Sequence, residues 1–214
     1  MDWSTIRDAV SPPAVEMQLR QAMVVSVEAG ATCTITLAGA TVAGVKYVTP
    51  PRPGTACWVT WQGGAPLVTG SVANTYSTPV AVGINNSTVS LANNTWTDMP
   101  NGAGWGTWNN NAWGMLDAAG VFTAPCDGWW LFTASAQFAS NATGFRGVRI
   151  VTGGGTVVSW TQVQAITTGV GTAVACSGGV GLAKGSAMSS QIIQNSGAAL
   201  NTGHMQFSVS WHSG

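Results

Sequence analysis

Residues 128–138 read GWWLFTASAQF, and the adjacent pair Trp129 and Trp130 cannot serve one face of an extended segment. Successive side chains of a strand point to opposite sides of its sheet. The even positions, Trp130, Phe132, Ala134, Ala136 and Phe138, are apolar from end to end and form a core face. The odd positions, Trp129, Leu131, Thr133, Ser135 and Gln137, begin apolar and end polar. A strand of a lone sandwich carries polar residues along its whole outer face. The apolar start of the odd set therefore calls for a cover: a loop, a second domain or another copy of the chain.

Charge bears on which cover is available. Only 7% of the residues are charged, against about 25% in soluble domains. The formal net charge is zero across 214 residues, a length that suits two small domains or one large one. No basic patch exists to follow a phosphate backbone, so nucleic acid is excluded as a partner. A chain this poor in charge has little protection against association, and the expectation is an oligomer or a part of a larger assembly. The uncharged run from Pro53 to Thr97 is interrupted by Gly, Pro, Asn, Ser and Thr. It lacks the roughly 20 successive apolar residues of a spanning helix, so membrane insertion is not expected. The opening MDWSTIRDAV has two aspartates and no apolar h-region, so the reading is a protein kept in the cytosol until assembly. In that compartment the Asn-x-Ser/Thr matches at Asn85, Asn86, Asn93 and Asn141 are chance, and the four cysteines are free thiols. Cys33 and Cys57 read as small buried apolar residues; Cys126 and Cys176 are the pair that could otherwise bridge.

Residues 1–21 carry the chain's one helix-prone stretch, AVEMQLRQAM after Pro12 and Pro13, and read as an N-terminal docking segment. From 22 to 73 the pattern turns to short runs rich in Val, Thr, Ile and Trp, divided by Gly or Pro. They are MVVSVEAG, TCTITLAG, TVAGVKYV, ACWVTWQGG and PLVTGSVA. Five short strands in this span suit a small closed barrel. Residues 74–81, NTYSTPVA, read as a linker, and residues 82–214 as a second all-β region. There, strand candidates at intervals of roughly 8 to 12 residues with Gly/Asn turns argue a sandwich or jelly roll. Gly153–Gly155 is placed as a hairpin turn.

Two resemblances follow from these stretches. The run VVSVEAG…TCTITLAG…GVKYVTPPRPGTACWVTWQGGAPLVTGSVA resembles the OB-like barrels of bacteriophage tail, spike and baseplate proteins. The segment GVFTAPCDGWWLFTASAQF resembles the F-x-x-P-x-D-G-x-Y-x-F signature of C1q/TNF-like jelly rolls. RGVRIV, GVGLAKGSAMSSQIIQNSG and the closing HMQFSVSW are similar to later strands of that family. Ser186 stands where the family usually has Asp, and Trp130 where it often has Tyr. The second resemblance implies a ten-strand, two-sheet jelly roll that assembles as a homotrimer. Core and trimer packing then fall to Trp129, Trp130, Phe132, Phe138, Phe207 and Trp211.

The inventory for catalysis is thin. Past Ala92 the acids are Asp98, Asp117 and Asp127, with no close carboxylate pair, and Asp127 is explained by its Asp-Gly turn. GxSxG, HExxH and GxxxxGK[ST] are absent. His204 and His212 share a strand face but lie about 27 Å apart at ~3.4 Å per residue, too far to share a metal within one chain. No enzyme activity, cofactor or metal is expected. In NGAGWGTWNNNAWG, Trp105, Trp108 and Trp113 stand among Gly and Asn. Aromatics on a polar loop can stack on sugars; the competing arrangement packs them under the loop or between subunits, since tryptophan is highly buried on average.

Taken with the two resemblances, the expectation is a non-enzymatic bacteriophage virion protein. It is a trimeric tail, baseplate-tip or fibre component, docked by its N-terminal part, with its jelly roll exposed for host attachment. Its partners are its own copies, other virion proteins, and a host-surface glycan or protein. A capsid-surface decoration or head fibre is the nearest alternative. A glycan-cleaving tail spike is the alternative of another class, and the poverty of acids speaks against it.

Overall fold

A computed structural model describes residues 19–62, 64–72, 78–99, 107–166 and 171–213. No helix occurs among them. Most of the helix-prone segment lies outside the described residues, but its end does not continue as a helix. Strand β1 (Arg20–Glu28) begins inside it, two residues before the expected start of the barrel. The cause is tertiary. Arg20, Gln21 and Ala22 pair with Val59, Trp58 and Cys57, and this ladder closes the barrel. The Arg20 guanidinium also lies 5.8 Å from the Trp61 ring centroid. Helix propensities differ by only a few tenths of a kcal/mol per residue, so a ladder with an apolar face outweighs them.

Strands β1, β2 (Thr32–Leu37), β3 (Ala40–Tyr47), β4 (Ala56–Gln62) and β5 (Ala65–Ser71) form a closed barrel in the order β1-β2-β3-β5-β4. β3 and β5 pair in parallel; the other neighbours are antiparallel. This is OB-like topology, and closure leaves no edge strand unpaired. Val24, Val27, Cys33, Ile35, Val45, Cys57, Val59 and Val68 fill the interior.

The remaining strands are β6 (Val80–Asn85), β7 (Val89–Leu91), β8 (Thr97–Asp98), β9 (Thr107–Asn110), β10 (Phe122–Thr123), β11 (Gly128–Phe138), β12 (Phe145–Thr152), β13 (Val157–Gln164), β14 (Thr172–Leu182), β15 (Ala187–Gln194) and β16 (Leu200–Ser213). One sheet runs β14-β11-β16-β6-β9, with β7 also on β16; the other runs β10-β15-β12-β13, with β8 on β15. Long strands far apart in sequence are neighbours in each sheet, which is the double Greek key of a jelly roll. Eleven strands are described where the resemblance implied ten; β7 and β8 are short ladders beside the main path. The segment expected as a linker to residue 81 gives up its end, because Val80 and Ala81 pair with Ser210 and Val209.

The even positions of β11 all face the core: Trp130, Phe132, Ala134, Ala136 and Phe138 are buried. Phe122 meets Trp130 at 5.0 Å and Phe132 at 5.2 Å between ring centroids, and Phe132 stacks on Phe207 at 5.9 Å. Tilted and offset pairs of this kind add about 0.5–1.5 kcal/mol beyond their burial. Arg146 is buried too. Its Nη1 donates to the carbonyls of Thr143 (3.0 Å) and Phe145 (2.9 Å), and its Nη2 to that of Asn141 (2.9 Å). All four cysteines are free and buried. Burial pushes the thiols of Cys33 and Cys126 up to about 12 and that of Cys176 to about 11.

Candidate functional site

The outer face of the β14-β11-β16-β6 sheet can be read across its registers. From β14 it takes Ala173, Ala175, Ser177, Gly179 and Gly181 against Gln137, Ser135, Thr133, Leu131 and Trp129 of β11. From β16 it takes His204, Gln206, Ser208 and Ser210, and from β6 Ile84, Val82 and Val80 against the last three. No Asp, Glu, Lys or Arg stands on these positions. Trp129 is 45% and Leu131 42% exposed. Gly179 makes room for them: a Cβ there would lie 2.7 Å from Trp129 Nε1 and 3.0 Å from Leu131 Cδ2. The tryptophan is laid flat along its neighbour strand and not turned away from it. Four strands of one face thus present small, hydroxylic, amide and apolar groups and one imidazole, His204, with no Asp, Glu, Lys or Arg. Depletion of charge is what marks the buried centre of a protein–protein interface.

A second structural element joins the barrel to the sandwich. Asp127, in the turn before β11, accepts the backbone N–H of Gly30 on Oδ2 and that of Lys184 on Oδ1, the latter at 2.7 Å. Lys184 in turn donates from Nζ to the carbonyl of Val27. The two backbone hydrogen bonds hold the Asp127 carboxyl below its ordinary pKa, with Lys184 adding to the effect. Tyr47 of the barrel and Cys126 of the sandwich lie together beside this contact. Burial raises the Tyr47 pKa, and Cys126 and Asp127 raise it further. The turn needs Gly128, at φ +149: a Cβ would fall 2.2 Å from Trp211 Nε1. That indole donates to the Asp127 carbonyl at 3.2 Å.

The sequence-derived residues divide as follows. Trp130, Phe132, Phe138 and Phe207 are in the core, Trp211 is partly buried at its edge, and Trp129 lies on the uncharged face. Of the three tryptophans read as a sugar-stacking loop, Trp105 falls outside the described residues. Trp108 is in β9, with its backbone opposite Gly83. Trp113 packs against the sandwich core and does not stand free on a loop. His204 Nδ1 lies 2.7 Å from Asn86 Oδ1. Among the described residues no three His, Cys, Asp or Glu side chains gather as a metal site, and no helix is long and apolar enough to cross a membrane. Asp98 engages Gln191, Asp117 accepts the Val121 N–H within its own turn, and Asp127 holds the junction. Local periodicity missed Val80, Val82, Ile84, Gly179 and Gly181 as members of one face. Only the order of strands joins them; the shared lack of charge was the available signal.

No family model matches this chain, and no curated protein matches it. Among solved structures, it is similar to the globular domain of zebrafish complement 1qA protein, at 13% identity and a TM-score of 0.43, over 64% of this chain and 99% of that one. It is also similar to Eiger TNF from S. frugiperda, at 9% identity and a TM-score of 0.45, over 64% and 93%. The strand orders above stand independently of these: the chain is all-β, an OB-like five-stranded barrel followed by a jelly-roll sandwich.

Proposed function

We propose that this chain is a non-enzymatic structural protein of a bacteriophage virion. It acts as a homotrimer that docks through its N-terminal part and offers its jelly roll to the host surface. The observation that carries the reading is the uncharged outer face of the β14-β11-β16-β6 sheet, with Trp129 and Leu131 exposed on it. An outer sheet face without a single charge is costly for a lone molecule and fitting for one that is covered. Copies of the same chain are the cover that brings matching uncharged faces, and a closed symmetry uses them all. The resemblance of residues 22–73 to bacteriophage tail barrels, in a chain whose barrel precedes a jelly roll, supports placement on a virion; Asp127 and Lys184 couple the two parts.

Two measurements test this. The native mass of the full chain at micromolar concentration is expected at three times that of one chain; a monomer overturns the assembly. Deleting residues 1–73 is expected to abolish incorporation into particles; normal incorporation overturns the docking role. Electron microscopy of labelled particles separates a tail position from a capsid-surface one.

A further inference from the structure

The opposite sheet has a different outer face. Across β8, β15, β12 and β13 the registers place Asp98, Gln191, Arg149 and Trp160 in one row. The row is bonded: Arg149 Nε donates to Gln191 Oε1 at 2.7 Å, and Gln191 Nε2 donates to Asp98 Oδ1 at 2.8 Å. The Arg149 guanidinium lies 4.1 Å from the Trp96 ring centroid. Its plane is thus fixed by a stack on one side and a hydrogen bond at Nε, while its Nη atoms take no hydrogen bond among the described residues. Directly opposite on the edge strand stands Trp160, at 59% exposure the most open tryptophan of the described side chains. Opposed residues of this kind have their Cβ atoms about 4.5–5.5 Å apart. Gln162 and Ile193 close over Gly147 beside them, where a Cβ would lie 3.0 Å from Gln162 Cγ and 2.8 Å from Ile193 Cγ2.

The arrangement differs from the rest of the sandwich in its use of charge. Residues 82–214 contain three bases, Arg146, Arg149 and Lys184. Arg146 is buried on loop carbonyls and Lys184 reaches the barrel. Arg149 alone is half-buried on the outer face of its sheet, stacked on Trp96 and bonded at Nε, with no hydrogen bond from its Nη atoms to the described residues. A fixed guanidinium with both Nη atoms available binds a planar carboxylate in bidentate fashion. An adjacent exposed indole offers a flat apolar surface for the C–H face of a pyranose. One guanidinium, with Asp98 two strands away, suits a single negative charge; a phosphate or sulfate polymer calls for several clustered bases.

We propose that Trp96, Asp98, Arg149, Trp160 and Gln191 form a binding platform for a carboxylated saccharide. The sugar carboxylate sits on the Arg149 fork and its ring on Trp160. This rests on the reading of the jelly roll as a host-attachment module. It lies on the sheet face away from the uncharged one, so an assembled oligomer leaves it open.

The test uses the full chain and ligand-observed NMR with calorimetry. The probes are sialyllactose, a glucuronate-containing oligosaccharide and, as the neutral control, lactose. At least one acidic probe is expected to bind about tenfold more tightly than lactose, and Trp160→Ala and Arg149→Gln are each expected to weaken it about tenfold. Lys46→Ala, at an exposed position of the barrel, is expected to leave this binding unchanged. Absence of binding by wild type at millimolar probe, equal affinity for lactose, or binding that survives both variants overturns the platform. The native mass, measured on the same samples, reports separately on the assembly: a trimer without sugar binding overturns only the platform, and a monomer that binds sugar overturns only the trimer.

Discussion

The carboxylate of Asp127 accepts the backbone N–H of Gly30, 97 positions earlier in the chain, and so ties the turn before β11 to the first turn of the barrel. Its other oxygen holds the N–H of Lys184 in the neighbouring loop at 2.7 Å. One side chain therefore organises two loops of the sandwich and one of the barrel.

That relationship has a pH dependence. Folding lowers the Asp127 pKa from its ordinary 3.8. The stabilisation is therefore complete above that value and is lost as pH falls through the lower, folded value. Thermal unfolding followed from pH 7 to pH 2 is expected to show a loss of midpoint below about pH 4 that Asp127→Asn reduces. An identical acid profile for the variant would remove Asp127 from the junction.

The thiols give the opposite sign. Burial raises Cys33 and Cys126 from 9.0 to about 12. Their contribution is present below pH 9 and declines as pH rises toward 12. In the native protein at pH 8 all four cysteines are expected to resist a thiol-specific disulfide reagent, and to react promptly in denaturant. Rapid native labelling of Cys126 would place it at the surface.

One strand allows a paired test of faces. Phe132 is 1% exposed, between Phe122 and Phe207, and Phe132→Ala is expected to cost about 3–5 kcal/mol. Gln137 lies exposed on the opposite face, and Gln137→Ala is expected to change stability by no more than about 0.5 kcal/mol. Denaturant titration of the two variants compares them. The reverse order would mean that β11 is inside out.

Arg146 supports a loop. Arg146→Lys keeps the charge but cannot reach the carbonyls of Asn141, Thr143 and Phe145 together. Each lost hydrogen bond to a charged donor costs about 1.5–3 kcal/mol, so a loss of at least about 2 kcal/mol is expected from chemical denaturation. A neutral result would show the loop to be satisfied by other means.

On the uncharged face, Thr133→Asp places a carboxylate at an exposed position that a single molecule tolerates within about 0.5 kcal/mol. In an assembly that covers this face, copies of the same charge are brought together and desolvated. The native mass is expected to fall to that of a monomer. An unchanged oligomer would place its contacts elsewhere.

Alternation in GWWLFTASAQF alone assigned Trp130, Phe132 and Phe138 to the core and left Trp129 on a face needing cover. That was possible because the period of a strand is local: each residue's side follows from its neighbour's. The turn clusters likewise divided the chain into a five-run β segment and a longer β region, and the lack of charge set the expectation of association. Local chemistry also misdirected the reading. It gave Arg20 and Gln21 to a helix, where the ladder to β4 makes them strand. It explained Asp127 by its own turn, where the partner is Gly30. For the aromatics of one loop it left open stacking on sugars and packing beneath the loop, and Trp113 packs inward. Trp96, Asp98, Arg149, Trp160 and Gln191 share no period and no motif. They meet because β8, β15, β12 and β13 lie side by side in that order and register. Sheet order is set by pairings between distant segments that bury a common core, and a shift of one residue in any of them would send these side chains to the other face. The sequence by itself determined which residues alternate; the tertiary structure decided which of them became neighbours.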